Sequence, residues 1–188
     1  MNKIGITGSL ASGKTIASKF LSVGRGPLFS ADSVVKKLYA NKKFKNIICK
    51  KFNIEKPSYL KETLRKKILE DNSNIKKLEK IIHPLVRKEM FKFIKKNKKK
   101  KFIFFEIPLL IESKLMKNFN TIIFVKANKD IRLKRFLSKG GSKKLFYILD
   151  KKQLIDTKKI EYCNHVVVNE KNIFFLKKAL SDIIMKYE

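Results

Sequence analysis

Short apolar segments alternate with helical patterns along this chain. Five segments rich in Ile, Val and Phe have the length and composition of buried strands, at residues 4–7, 28–31, 102–107, 121–126 and 165–169. Each is separated from the next by a helical pattern, and this alternation is typical of β-α crossovers, which place helices over both faces of a parallel sheet. The sequence therefore predicts an α/β fold built on a five-stranded parallel sheet.

Two of the helical patterns carry apolar stripes that predict core faces. The stripes consist of Ile16, Ala17, Phe20 and Leu21 in the first helix, and of Leu176, Leu180 and Ile184 in the last. About seventy residues separate the second segment from the third, which is far more than one crossover helix needs. This length predicts a helical insertion, and a smaller insertion is expected between Asp130 and Cys163.

Charge and cysteine content restrict the cellular setting. The net charge of +30 raises the possibility of nucleic-acid or anionic-membrane binding. The Lys excess accompanies abundant Ile, Asn and Phe, as an AT-rich coding sequence would produce, so we favour a solvated Lys-rich surface and expect no nucleic-acid partner. Two separated cysteines, no signal-peptide pattern and no apolar run long enough to cross a bilayer favour a cytoplasmic protein without membrane association.

A phosphate-binding motif follows the first predicted strand. The octet Gly8-Ser9-Leu10-Ala11-Ser12-Gly13-Lys14-Thr15 matches G-x-x-x-x-G-K-[ST] and precedes an amphipathic helix. Its glycines let backbone N–H groups surround phosphate oxygens, Lys14 would bridge the β- and γ-phosphates, and the Thr15 hydroxyl would ligate Mg²⁺. An ordinary glycine-containing turn is the alternative. The candidate ATP-binding residues are Gly8, Ala11, Ser12, Gly13, Lys14, Thr15 and Ile16.

Polar residues near the predicted strand ends are candidates for the acceptor side. Asp32 follows the second strand, where a carboxylate could accept a proton from an attacking hydroxyl and help to hold Mg²⁺; its alternative role is capping the helix at residues 33–39. His83 and Arg87 lie four residues apart in a helix predicted to open at His83-Pro84, and they suit an anionic substrate or form an ordinary surface pair.

The third predicted strand and the helix after the fourth carry further candidates. Glu106 occupies a position near the expected Mg²⁺, and Pro108 stops the strand. Residues Pro108 to Ile111 form either part of the acceptor site or, equally well, a buried structural stop. Glu112 could touch substrate or begin a helix. Arg132 and Arg135 could close over the transferring phosphoryl group; a solvated helix face is an equal alternative for Arg132, and Arg135 is the preferred candidate.

Together, the P-loop, Ser30-Ala31-Asp32, His83-Pro84-Leu85-Val86-Arg87 and Pro108-Leu109-Leu110-Ile111-Glu112 resemble the dephospho-coenzyme A kinase family, in order and spacing, over nearly the whole chain. The resemblance implies one P-loop kinase domain across residues 1–188. Its implied parts are a nucleoside-monophosphate-kinase-like core at 1–31, 91–129 and 164–188, a substrate-binding insertion at 32–90 and a lid at 130–163.

The resemblance also implies a reaction and site roles. ATP with Mg²⁺ would phosphorylate the ribose 3′-hydroxyl of dephospho-coenzyme A, the last step of coenzyme A biosynthesis. The implied catalytic residues are Asp32, Lys14 and Arg135, with Thr15 and Asp32 as metal ligands. The implied acceptor-binding residues are Asp32, His83, Arg87, Pro108, Leu109 and Glu112.

The chain departs from the family pattern at several positions. Ser30 replaces the first carboxylate of Asp-Ala-Asp, Lys139-Gly140-Gly141 stands where the lid often has Arg-Asp-Gly, and a later lid arginine falls on Leu149. The alternatives are another small P-loop kinase, of nucleoside monophosphate type, and a nucleic-acid-binding ATPase suggested by the charge. The sequence makes no prediction of oligomeric state.

Overall fold

The computed structural model describes residues 1–55 and 57–188. The strands are β1 (Asn2–Gly8), β2 (Leu28–Ser30), β3 (Phe102–Glu106), β4 (Thr121–Lys126) and β5 (His165–Val168). The helices are α1 (Lys14–Ser22), α2 (Ala31–Ala40), α3 (Lys42–Phe52), α4 (Leu60–Glu70), α5 (Ser73–Lys96), α6 (Lys129–Leu137), α7 (Lys143–Lys152), α8 (Asp156–Ile160) and α9 (Ile173–Ile184). Short 3₁₀ turns occupy Pro57–Tyr59 and Met116–Asn118.

The strands form one five-stranded sheet in the order β2-β3-β1-β4-β5, and every neighbouring pair is parallel. The predicted parallel sheet and its five strands are therefore confirmed. Three predicted strands were one residue too long, because Ala31 begins α2 and Ile107 and Asn169 follow the ends of β3 and β5. The topology places the carboxyl end of β1, where the P-loop begins, between the ends of β3 and β4.

Helices α1 and α9 pack against one face of the sheet. Their buried side chains join strand residues in a core that includes Ile4, Ile6, Ile123 and Val125. The predicted α9 stripe is confirmed, since Leu176, Leu180 and Ile184 are buried. The α1 stripe was wrong at Ile16, which is 47% exposed. Ala17 and Leu21, one helical turn apart, face the sheet, and Ile16 lies about 100° around the helix from Ala17.

The chain divides into two compact units. The sheet unit comprises residues 1–30 and 94–188, and the helical unit comprises residues 31–93. The helical unit has its own apolar core, made by residues of α3 and α4 together with Ile54 and Ile82; the α3 and α4 members are Phe44, Ile48, Cys49, Phe52, Leu60 and Leu64.

The helix that carries the His-Pro motif was predicted to open at His83, and this was wrong. Helix α5 begins at Ser73, so Pro84 lies inside it. Proline has no N–H to donate to the carbonyl of Lys80, four residues earlier, so the helix runs on with one backbone hydrogen bond fewer. The apolar side chains of Ile75 and Ile82, buried before the proline, favour that continuation over the local cost.

None of the helices in the described part of the chain combines the length and apolar character needed to span a membrane.

Candidate active site

The loop between β1 and α1 approaches its neighbours so closely that two positions require glycine. Gly8 has a φ of 150°, and a Cβ there would lie 2.3 Å from the carbonyl oxygen of Val125. Gly13 has a φ of 105°, and its Cβ would lie 2.1 Å from Nδ2 of Asn169. Side chains are disfavoured at both positions by conformation and by space. These two glycines hold the loop in a tight curve between strand and helix.

Polar groups inside this curve suit a bound phosphate. The Nζ atom of Lys14 donates to the backbone oxygen of Ser9 at 2.8 Å, and the side chain is only 7% exposed. The hydroxyl of Ser12 is buried and has no hydrogen-bond partner among the residues that the structure describes. Gly13 caps α1 without any side-chain acceptor, so the amides of the first helical turn are not bound by a capping side chain. A buried ammonium, an unpartnered hydroxyl and a helix N-terminus together fit a nucleotide phosphate.

A hydroxyl and a carboxylate meet where α1 faces the end of β3. The hydroxyl of Thr15 donates to Oε1 of Glu106, and that of Ser18 donates to Oε2 at 3.5 Å. Glu106 is only 2% exposed. Hydroxyl and carboxylate oxygens are the ligand types that Mg²⁺ prefers, so this pair fits the cation expected beside ATP. Glu106 was noted in the sequence because it ends a strand.

Two residues from other elements support the loop from outside. Nδ2 of Asn169 donates to the backbone oxygen of Ser12 at 2.8 Å. The guanidinium of Arg135 donates to the same oxygen at 3.4 Å and to the backbone oxygen of Asn169 at 3.1 Å. The structure thus brings Arg135 to the P-loop. Asn169 was missed as a site residue, because the sequence shows it only as a polar residue ending a strand.

Arg132 has a different environment from Arg135, although both belong to α6. Its guanidinium donates to the backbone oxygens of Ala127 at 3.2 Å and Leu10 at 3.3 Å, and it pairs with Asp150 at 2.5 Å. The side chain is 6% exposed, so the solvated-face alternative was wrong. Arg132 is buried because Asp150 of α7 neutralises it and the ring of Phe146 lies beneath it.

Glu112 lies in a turn after β3, so its alternative as the start of a helix was wrong. Its Oε1 accepts from Nζ of Lys159 at 2.9 Å and from the backbone N–H of Leu154 at 3.2 Å. The Lys159 side chain is fully buried and also donates to Oε1 of Gln153 at 3.0 Å. Oε2 of Glu112 is buried without a hydrogen-bond partner in the described residues. Glu112 therefore anchors the segment between α7 and α8 and keeps one oxygen available for a donor.

The start of α8 contacts the P-loop directly. The hydroxyl of Ser9 donates to Oδ1 of Asp156, the first residue of α8. Ser9 is 3% exposed. Because Asp156 and Lys159 lie on one short helix, α8 links the P-loop to the Glu112 turn. Neither Asp156 nor Lys159 was a sequence candidate, since each partner is distant along the chain and no local motif marks the contact.

Pro108 and Leu109 are half-buried after β3, and the hydroxyl of Thr7 donates to the backbone oxygen of Pro108 at 3.1 Å. Leu110 and Ile111, between them and Glu112, are core residues. The alternative of a buried structural stop therefore holds for Leu110 and Ile111, which are buried. The roles predicted for Pro108 and Leu109 toward the acceptor stay predictions.

The remaining acceptor candidates belong to the helical unit. Asp32 is an exposed residue in the first turn of α2, which begins at Ala31 and not at Ser33, so the capping alternative was wrong by two positions. His83 is half-buried and Arg87 is exposed, one turn apart on α5. Their placement on one helical face agrees with their spacing. Their roles toward ATP and the acceptor stay predictions.

Comparison with known proteins supports the family suggested by the motifs. The family model for dephospho-CoA kinase matches residues 2–174. The dephospho-CoA kinase of Bartonella quintana (strain Toulouse) is 33% identical over 178 residues, which cover 92% of this chain and 91% of that protein. The dephospho-CoA kinase of Rickettsia typhi is 32% identical over 195 residues, which cover 100% and 98% of the two chains.

Solved structures share the fold. A crystal structure of a Thermus thermophilus protein superimposes with a TM-score of 0.77 at 24% identity, covering 98% of this chain and 97% of that one. A dephospho-CoA kinase from Campylobacter jejuni gives a TM-score of 0.63 at 20% identity, covering 100% and 97%. The P-loop kinase fold predicted from the motifs is confirmed. With the family match across most of its length, the chain belongs to the dephospho-CoA kinase family of ATP-using kinases.

Proposed function

We propose that this chain catalyses the ATP-dependent phosphorylation of the ribose 3′-hydroxyl of dephospho-CoA, which is the last step of coenzyme A biosynthesis. The observation that carries the proposal is the phosphate cradle, which we define as residues 8–15. It holds Lys14 and the unpartnered Ser12 hydroxyl, in a chain that belongs to the dephospho-CoA kinase family. Its relatives from Bartonella quintana and Rickettsia typhi bear that enzyme's name.

The donor side binds the triphosphate of ATP. Backbone amides from Gly8 to Thr15 surround the phosphates, and the Lys14 ammonium exchanges its bond with the Ser9 carbonyl for phosphate oxygens. Ala11, in the middle of this segment, and Ile16, directly after it, also contact the nucleotide. Mg²⁺, when bound, neutralises charge on the β- and γ-phosphates. Thr15, Asp32 and Glu106 would hold it, directly or through water.

The acceptor side supplies the nucleophile. The carboxylate of Asp32 accepts the proton of the 3′-hydroxyl while that oxygen attacks the γ-phosphorus, and the bond from the γ-phosphorus to the ADP oxygen breaks. His83 and Arg87 hold anionic groups of the acceptor, and Pro108, Leu109 and Glu112 contact the rest of it. The buried, unpartnered Oε2 of Glu112 supports this role, because it can accept from a hydroxyl or amide of the substrate.

Arg135 stabilises the charge on the transferring phosphoryl group. Its guanidinium already lies within 3.4 Å of the Ser12 carbonyl oxygen, so a small movement of the side chain brings it to phosphates in the cradle. We assign residues 130–163 to a lid that excludes water, residues 32–90 to acceptor binding, and residues 1–31, 91–129 and 164–188 to the core of one kinase domain. We place the enzyme in the cytoplasm, without a nucleic-acid partner.

A panel of acceptors tests the proposal. ADP release is measured with ATP and Mg²⁺ in the presence of dephospho-CoA, AMP, CMP, shikimate or single-stranded RNA. We expect strong stimulation by dephospho-CoA, with the product carrying the new phosphate on the 3′-oxygen, as phosphorus NMR reports. Absence of stimulation by dephospho-CoA would refute the proposal. Hydrolysis stimulated by RNA alone would favour a nucleic-acid-dependent ATPase.

Asp32→Asn tests the assigned base. The amide cannot accept the hydroxyl proton, so we expect kcat with dephospho-CoA to fall at least about a hundredfold. Asp182→Asn, which makes the same charge change at an exposed position of α9, is the matched control and should retain kcat. Near-normal turnover in Asp32→Asn would remove this residue from the mechanism.

A further inference from the structure

A cavity of about 460 Å³ lies inside the sheet unit, between the P-loop and the connection from α7 to α8. Ser9 of the P-loop and Asp156 of α8, which are hydrogen-bonded to each other, are among its lining residues. Tyr147, Leu154 and Ile155 line its apolar part, and Lys129 is among its charged residues. The volume falls within the range of small-molecule sites. The cavity therefore adjoins the phosphate cradle at Ser9, and its other lining residues all fall between residues 129 and 156.

The apolar wall of this cavity is exposed to solvent. Ile155 is 62% exposed, Tyr147 42% and Leu154 40%. These three side chains share one concave surface on a chain whose other surface is rich in lysine. Grouped apolar side chains around a cavity mark a ligand contact more often than scattered ones do. The wall is suited to an uncharged, partly aliphatic group.

The same wall is fixed in place by buried neighbours. The backbone N–H of Leu154 is bound by Glu112, and the side chain of Tyr147 packs edge-on against the buried ring of Phe146. The Lys129 ammonium lies 5.0 Å from the ring centre of Tyr147. A wall held by these contacts exists before a ligand binds, and such preorganisation lowers the entropic cost of binding.

We propose that this cavity binds the pantetheine arm of the acceptor, an inference that rests on the proposed function. The acceptor is an adenosine joined through a diphosphate to an uncharged chain with a dimethyl-substituted carbon and two amides. Its reacting hydroxyl must reach the γ-phosphate in the cradle, so its remaining parts must occupy space adjoining the cradle. The cavity reaches Ser9 of the P-loop, and it offers Ile155, Leu154 and Tyr147 to the aliphatic chain.

Ile155→Asn tests this assignment without weakening the local fold. Ile155 is the N-cap residue of α8 and makes no side-chain capping bond, whereas asparagine is a preferred N-cap. Asparagine removes the apolar contact while favouring the helix. We expect KM for dephospho-CoA to rise about five- to tenfold, the effect of losing one aliphatic contact, with kcat and KM for ATP changed by less than about twofold.

Two further variants complete the experiment. Ile155→Val keeps an apolar side chain and should stay close to wild type. Ile173→Asn makes the same substitution at a 51% exposed position, the first residue of α9, and should leave every constant unchanged. Competitive inhibition by pantetheine alone, weakened in Ile155→Asn, is the second expected readout.

The inference is overturned if Ile155→Asn leaves KM for dephospho-CoA unchanged, or if it raises KM for ATP equally, which would assign the cavity to the nucleotide donor. Failure of pantetheine to inhibit the wild-type enzyme also counts against it. Failure of the proposed function is recognised separately, because the wild-type enzyme would then show no turnover of dephospho-CoA at all.

Discussion

The phosphate cradle (residues 8–15) and the lid segment (residues 130–163, which include most of α6 and all of α7 and α8) are built by different means. The cradle depends on glycine conformation and on bonds to backbone oxygens, such as those from Asn169 and Lys14 to loop carbonyls. The lid segment depends on buried charge pairs, namely Arg132 with Asp150 and Lys159 with Glu112. The shape of the cradle is thus set mainly by contiguous residues, with Asn169 as a distant support, whereas the lid segment is held mainly by pairs of residues that are not neighbours in the sequence.

The largest expected effect concerns the charge pair that ties the lid segment to the sheet. Glu112→Ala leaves the fully buried Lys159 ammonium with the Gln153 amide oxygen but without a counter-ion. We expect the free energy of unfolding to fall by about 3–5 kcal/mol, the usual cost of breaking a buried pair from one side. Equilibrium urea denaturation followed by circular dichroism measures the change.

Two controls distinguish the effect of burying a charge pair on the free energy of unfolding from the effect of charge pairing alone. Glu62 pairs with Lys66 across one turn of α4, with both side chains about two-thirds exposed, so Glu62→Ala should cost no more than about 0.5 kcal/mol. The double variant Glu112→Leu with Lys159→Met replaces the pair by apolar side chains and should recover most of the lost stability. If Glu112→Ala and Glu62→Ala lowered the free energy of unfolding equally, burial of the charge pair would not be what stabilises the lid segment.

The second expected effect concerns the cradle and appears in activity. Lys14→Ala removes the only ammonium that the motif directs at the β- and γ-phosphates, and we expect kcat/KM to fall about 10²- to 10³-fold, as for loss of one preorganised electrostatic contact. Lys19→Ala, an exposed position on the same helix, is the matched control. Retained activity in Lys14→Ala would mean that the loop binds phosphate through its backbone alone.

The contrast explains how much the sequence could predict. The sequence predicted the P-loop, the five strands and the apolar stripe of α9 because each is defined by adjacent or regularly spaced residues. The start of α5 was misplaced because proline usually marks a helix boundary. Here the burial of Ile75 and Ile82 stabilises a helix that continues past Pro84.

Site residues that act through distant partners could not be found in the same way. Lys159 looks like any lysine in a chain with 46 basic residues, and only the fold shows that it is fully buried against Glu112. Asp156 and Asn169 likewise contact the P-loop from about 150 positions away, a distance over which no spacing rule applies. Arg135 was preferred to Arg132 in the sequence, and the structure brings Arg135 to the Ser12 carbonyl while Arg132 pairs with Asp150.

The smallest expected effect uses Cys163 as a reporter of lid packing. Burial raises the pKa of the Cys163 thiol to about 11, while the nearby Lys159 ammonium acts to lower it. The thiolate is the form that reacts, so in a Cys49→Ser background alkylation by iodoacetamide should be slow at pH 8 and accelerate about tenfold per pH unit until the pH approaches the pKa. A midpoint near that of an exposed thiol would show that the lid segment is not packed as described.

Variants of the buried pair then change this reactivity in opposite directions. Lys159→Met keeps a side chain of similar length in the site but removes the cation, so the pKa of Cys163 should rise further and alkylation at pH 8 should slow about twofold. Glu112→Ala should instead loosen the segment, expose the thiol and accelerate alkylation. Acceleration in both variants would mean that the apolar part of Lys159 cannot hold α8 by itself. The charge pair would then be essential to the position of the lid segment, and the apolar double variant should fail to recover stability.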